Sequence, residues 1–275
     1  MDIGNLVSNQ VKLAQLGSIN QTTTSAAIQQ LFSASNLMPA RQVSQTGSVT
    51  SMSQILAPAN QRLTQQLDAA NVKLSAYGQV KSAFASANTA ALGLSKAATG
   101  TATAEVVKAA QAFVNTFNQA TQTLSSAVNG TGTAPGALTT DLRAKFAGND
   151  LAQSINNATG LANLRQAGIS QDKNGLLTLN TAALTQSLQS TSIQVKSALL
   201  SLGQQVSTST GRELSSSGNV GASVNQLTNQ TQTLTSQQKI LQQQATATQA
   251  ILDQQSSVIS NTLANGIAAY QSLMF

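Results

Sequence analysis

The stretch VNQLTNQTQTLTSQQKILQQQATATQAILDQQSSVISNTLANGIAAYQSLMF, residues 224–275, reads as one uninterrupted helix, and its reading decides the fold. Val224, Ala245, Leu252 and Ile259 fall on one seven-residue register, and Leu227, Leu234 and Leu241 fall on a second register three residues further on. Two such registers form the a/d seam of a coiled coil. After Ile259 the apolar positions slide to Leu263, Ile267, Tyr270 and Met274, the drift of a helix that keeps its natural period near 3.6. At 1.5 Å per residue the helix would be about 80 Å long, more than a compact domain of this size needs. Such a rod requires a partner.

A second rod is predicted from Ile55 to about Ala98. Leu56, Leu63, Ala70, Tyr77, Phe84 and Ala91 are spaced by seven, with Leu67 and Leu74 on the flanking register. Pro58 is expected in the first turn, where a missing N–H costs nothing. Asn60, Lys81, Asn88, Thr231, Gln238, Thr248 and Gln255 interrupt the two seams with polar side chains. The pair is therefore expected to be marginal alone and to gain from burial against further copies of itself.

Composition restricts the function classes. Of 275 residues, 8% are charged and 3% aromatic, against a usual charged share of about 25%. Ser, Thr, Asn, Gln and Ala take up the difference. Since 41% of residues are apolar and periodically placed, folding is favoured over disorder. The net charge is +6, but the basic residues are scattered singly, so neither a nucleic-acid groove nor a polybasic membrane patch is expected. No apolar run is long enough for a membrane span, and no apolar segment follows a basic start as in a Sec-type signal. Cys, His and Trp are absent, which removes disulfides, thiolate nucleophiles, the commonest metal ligand and the commonest general base. A serine hydrolase would need Lys as base, and Ser192 with Lys196 is more simply a solvated helix face. The eight acids are too dispersed to argue a metal site or a carboxylate pair. No cofactor and no metal is expected.

Residues 1–54 read as a mobile N-terminal segment, with short apolar patches at Ile3–Val11 and Ala26–Phe32. An amphipathic helix is predicted over Ala104–Val128 and a glycine-rich linker over Asn129–Gly136, followed by shorter helices over Ala137–Phe146 and from Leu151 to about Leu164. Ala167 to Asn180 carries the most specific local pattern. Asn174-Gly175 is expected to supply the positive φ angles of a tight turn beside Asp172, and Leu177 and Leu179 alternate with Thr178, giving a β-hairpin. The rival reading, a calcium loop, fails because Ser170 and Thr181 stand where carboxylates are required. Asn180 or Thr181 is expected to cap the next helix, a further segment spans Ile193–Leu202, and Gly203, Gly211, Gly218 and Gly221 are read as the approach to the terminal rod.

The order of these pieces resembles a known family. Ala57-Pro58-Ala59-Asn60-Gln61-Arg62-Leu63 opens the first rod; Phe113-Val114-Asn115-Thr116-Phe117-Asn118, Gly136-Ala137-Leu138, and Gly168-Ile169 through Asp172-Lys173-Asn174-Gly175 to Leu177-Thr178-Leu179-Asn180 follow before the terminal rod. Together they resemble the flagellar filament cap protein, hook-associated protein 2, over most of residues 55–275. Asp2-Ile3 to Leu6-Val7 also resembles the family's extreme N-terminus. The resemblance implies a mainly α chain, a long antiparallel coiled coil of N- and C-terminal helices joined to a helical domain with one small β-hairpin. It divides the chain into the segment 1–54, a leg domain of 55–75 with 235–275, and a helical domain of 76–234 with the hairpin at about 167–180. It implies a non-enzymatic homo-oligomer, exported by the flagellar type III route to the filament tip. The partners implied are further copies of itself, flagellin, other axial proteins and an export chaperone. Leu63, Leu67, Leu74, Leu227, Leu234, Leu241, Leu252, Ile259 and Leu263 are the expected leg and assembly residues. One departure is large: members usually carry β-rich domains between the first long helix and the helix bearing Phe113–Asn118, and only Thr99–Thr103 occupies that place here. The plate formed by those domains is expected to be absent.

Overall fold

The computed structural model describes residues 52–274, so the expectations for residues 1–51 lie outside the described residues. The fold is mainly α with one two-stranded sheet. Its elements are α1 (Met52–Thr99), α2 (Thr103–Asn129), α3 (Leu142–Asn156), α4 (Leu161–Gln166), β1 (Ile169–Gln171), β2 (Leu177–Leu179), α5 (Thr181–Ser190), α6 (Ser192–Leu214) and α7 (Asn219–Met274). Met52 to Gln54, read from sequence with the N-terminal segment, belong to α1. Pro58 consequently lies beyond the first turn, on an exposed face where water can take the carbonyl that its missing N–H leaves free.

Tyr77, Val80, Phe84, Ala87, Ala91 and Leu94 line one side of α1 at alternating spacings of three and four, and all are fully buried. They meet Val106, Ala110, Phe113 and Phe117 of α2 and Leu199, Leu202 and Val206 of α6 in one hydrophobic core, which Ala144, Ala147, Leu151 and Ile155 of α3 complete. Small residues let these helices approach closely. A Cβ on Gly203 would stand 2.3 Å from Ser95 Oγ and 2.5 Å from the Ala91 carbonyl oxygen, so α6 crosses α1 where it has no side chain. This corrects the sequence reading of Gly203 and Gly211 as a loop: α6 runs through both, because burial against α1 outweighs the helix cost of glycine, about 1 kcal/mol each.

A second correction concerns residues 137–164. Gly136 sits against the α2 backbone, where a Cβ would be 2.3 Å from the Ala127 carbonyl oxygen, and Leu138 donates its N–H to that same oxygen at 2.8 Å. The helix therefore starts only after Asp141, whose Oδ1 accepts from the N–H groups of Arg143 (2.9 Å) and Ala144 (3.3 Å), and it continues to Asn156. The chain turns at Gly160, φ 85°, and restarts as the short α4.

The hairpin pairs Ile169 with Leu179 and Gln171 with Leu177, antiparallel. Its turn differs from the expected one in a single respect. Gly175 has φ 80°, but Asn174 does not adopt positive φ. Gly175 N–H bonds the Asp172 carbonyl at 3.1 Å, Asp172 N–H bonds the Leu176 carbonyl at 2.8 Å, and Asp172 Oδ1 accepts from Asn174 and Leu176 N–H, each at 2.8 Å. This is a type I turn closed by one left-handed glycine, with Asp172 as its internal cap. Asn180 caps α5 by accepting from Ala183 N–H at 3.0 Å.

One side chain ties the hairpin to the core. Asn118 Nδ2 donates to the Leu177 carbonyl at 2.8 Å while Leu177 N–H donates to Asn118 Oδ1 at 2.7 Å, so the amide imitates a neighbouring strand. Asn118→Asp keeps the acceptor and loses the donor. It is expected to cost about 1–3 kcal/mol and to speed amide exchange at Leu177, measured by thermal melting and hydrogen exchange.

Candidate functional site

The lower part of α1 and the length of α7 form an arm. Tyr77 faces Ser223, whereas Gln238 reaches Asn60 and Thr64, so the two helices run antiparallel. Gln238 Nε2 donates to Asn60 Oδ1 at 3.3 Å and to Thr64 Oγ1 at 3.1 Å. The polar interruptions of the two seams thus meet in one layer and satisfy one another, which fixes the register of an otherwise permissive apolar contact.

The predicted seam residues divide along this arm. Leu227 and Leu234 are 9% and 8% exposed, whereas Leu63, Leu67, Leu74, Leu241 and Leu252 are half-buried. Ile259 and Leu263 are 67% and 63% exposed. From Asp253 to Ala269 every side chain of α7 is exposed. Val258, Ile259, Leu263 and Ile267 form an apolar stripe there, with Thr262 and Gly266 as a notch of small residues beside it. No charged residue follows Asp253 in the sequence.

Where the arm joins the helical core, Arg143 Nη1 donates to Gln226 Oε1 at 3.1 Å, and Lys73, Asp141 and Gln230 line the adjoining groove. The fully buried Tyr77 hydroxyl completes no hydrogen bond among the described residues. Its burial drives the phenol pKa far upward, with the Asp141 side chain adding to the rise and Ser223 opposing it, so Tyr77 stays neutral. Among the described residues no three His, Cys, Asp or Glu side chains stand close enough to hold a metal ion, and no helix is long and apolar enough to cross a membrane.

The family described as "Flagellar hook-associated protein 2 C-terminus" matches residues 92–265, well over half of the 275 positions. The chain belongs to the flagellar hook-associated protein 2 family. No curated protein and no solved structure matches it. The family is a structural component of the bacterial flagellum.

The match enters α1 at Leu92, spans the core, the Phe113–Asn118 segment and the hairpin, and ends on α7 at Asn265, inside the exposed stripe. Asp172, Asn174 and Gly175 lie in the hairpin turn, away from the arm, and their interactions close the turn. The Asn118 clamp and the Gln238 layer escape a reading of the sequence, because both join residues far apart in the chain. The one local sign of the first is the Phe-Val-Asn-x-Phe-Asn pattern itself. In this chain the link between α1 and α2 is only Gly100 to Ala102.

Proposed function

We propose that this protein caps the distal end of the flagellar filament and assists flagellin assembly as a homo-oligomer. The observation that carries the reading is an α7 tip whose apolar stripe is exposed and charge-free, in a member of a flagellar structural family. A solvated face of Val258, Ile259, Leu263 and Ile267 is costly to leave in water and gains when a neighbouring subunit or the filament end covers it. In this reading residues 55–75 and 235–275 are the legs, and Leu63, Leu67, Leu74, Leu227, Leu234, Leu241 and Leu252 join them and present Ile259 and Leu263 to sister copies. Residues 76–234 are the head. Catalysis has no part in the role, and delivery is by the flagellar export route with a chaperone as escort.

The short link at Gly100 to Ala102 favours a second reading, another axial component such as a hook–filament junction protein or a minor filament subunit. The two differ in closure: a cap makes a closed ring, a filament component an open polymer. Mass photometry of the full chain over a concentration series, with electron microscopy in the presence of flagellin filaments, separates them. Closed oligomers seated on filament ends are expected. Open polymers would transfer the assignment to the second reading, and a strict monomer that ignores filament ends would remove both.

A further inference from the structure

In this charge-poor chain one carboxyl group is buried with no role in the arm's apolar surface. Glu213, near the end of α6, is 2% exposed. Its Oε2 accepts the backbone N–H of Asn219 at 3.1 Å and its Oε1 accepts Asn219 Nδ2 at 3.0 Å, and Asn219 is the first residue of α7. Asp150 of α3 faces it within hydrogen-bonding reach. The Asp150 carboxylate is held in turn by Arg212 Nη2 at 3.2 Å, and its backbone carbonyl by the Ser209 hydroxyl at 3.1 Å. The corner has no space for side chains: a Cβ on Gly218 would lie 2.1 Å from the Arg212 carbonyl oxygen, and one on Gly221 2.0 Å from that of Ser215. The Glu213 carboxyl thus fastens the root of the long arm helix to α6, beside the Gly218 N–H bond to the Ser215 carbonyl (3.0 Å) and the fully buried Val220.

Two carboxyl groups side by side in a buried place are not both ionised without cost. Among the described residues no cation forms an ion pair with Glu213. Arg212 is committed to Asp150 and largely exposed, α7 has no ionisable residue before Lys239, and Lys81 and Lys96 of α1 are exposed. We propose that Glu213 is a proton latch: protonated, it donates to the Asp150 carboxylate and locks the α6–α7 corner, and loss of that proton frees the root of the arm. Burial, followed by the hydrogen bond and the charge of Asp150, raises the Glu213 pKa above the ordinary carboxylate range, while Asn219 opposes the rise. For a group raised on folding, the native chain holds a proton that the unfolded chain has released. The contribution of the latch is therefore complete below the ordinary carboxylate range and disappears as pH rises through the raised value.

The test is amide hydrogen exchange across residues 214–222 of the full chain, corrected for intrinsic rates, at pH 5 and pH 8. The wild-type chain is expected to lose protection at the higher pH. Glu213→Gln keeps one of the two bonds from Asn219, since its amide nitrogen cannot accept, donates to Asp150 at every pH, and is expected to show the same protection at both pH values. Asp150→Asn, which removes the facing charge, is expected to flatten the pH dependence as well. A wild-type corner indifferent to pH overturns the latch, and so does a Glu213→Gln chain that follows the wild-type slope. Lower stability of Glu213→Gln at both pH values would show that an ionised carboxylate is needed there, and would overturn it equally.

Discussion

Phe117→Ala is expected to lower the stability of the head by about 3–5 kcal/mol, the cost of removing a fully enclosed aromatic ring whose surroundings relax only in part. Phe117 is fully buried on α2, with its ring centroid 5.9 Å from that of Phe113 and the two planes tilted by 39°. Losing that ring pair adds about 0.5–1.5 kcal/mol. The next residue is Asn118, which clamps β2, so a slackened turn of α2 also loosens the hairpin. For a chain of this size each kcal/mol is worth about 2–4 °C, and thermal melting is expected to show a drop of about 6–20 °C. Phe146→Ala is the control. Its ring is 54% exposed, and a change within about 0.5 kcal/mol is expected. Equal effects of the two substitutions would contradict a core centred on the Phe113–Phe117 pair.

The second large effect concerns assembly and leaves the head unchanged. Replacing Ile259 and Leu263 together by glutamate is expected to weaken self-association or filament-end binding at least about a hundredfold, since each buried aliphatic side chain contributes about 1.5–3 kcal/mol and each 1.4 kcal/mol is tenfold. Both residues are exposed in the single chain, so the melting temperature is expected to change little. Because no charged residue follows Asp253, association through this stripe is also expected to persist as salt rises from about 0.15 to 1 M, where ion pairing is screened. Sedimentation of both chains at the two salt concentrations, with a thermal melt of each, reads all three outcomes. A variant that assembles as well as the wild type would place the contact elsewhere.

The long helices and the hairpin were legible because their signals are periodic and local. Leu63, Leu67, Leu227 and Leu234 repeat at coiled-coil spacing, and Leu177-Thr178-Leu179 alternates after a turn sequence. What escaped depended on distance. Gly203 reads as a breaker until Ala91 and Ser95 are seen against it, and its smallness is a requirement of packing that no local propensity records. The start of α3 moved to Leu142 because Leu138 is engaged by the end of α2, an interaction between residues eleven apart. Asn174 looked like a left-handed residue, but the Asp172 side chain bonds the N–H groups of Asn174 and Leu176 and leaves Gly175 alone to reverse the chain. At the arm the apolar positions were visible in the sequence. Their unequal burial was not, because it depends on which lengths of α7 other parts of the chain cover. Glu213 gave only a faint sign, a lone acid among serines, threonines and glycines.

At the end of the head away from the arm, α1 stops at Thr99 and α2 starts at Thr103. Gly100 folds back onto the Ala97 carbonyl at 3.0 Å, and its own carbonyl is held by Lys196 Nζ at 2.8 Å. Entry and exit of the chain therefore stand side by side on a secured rim. A whole globule with neighbouring termini can be spliced in or cut out there without pulling on the packed interior.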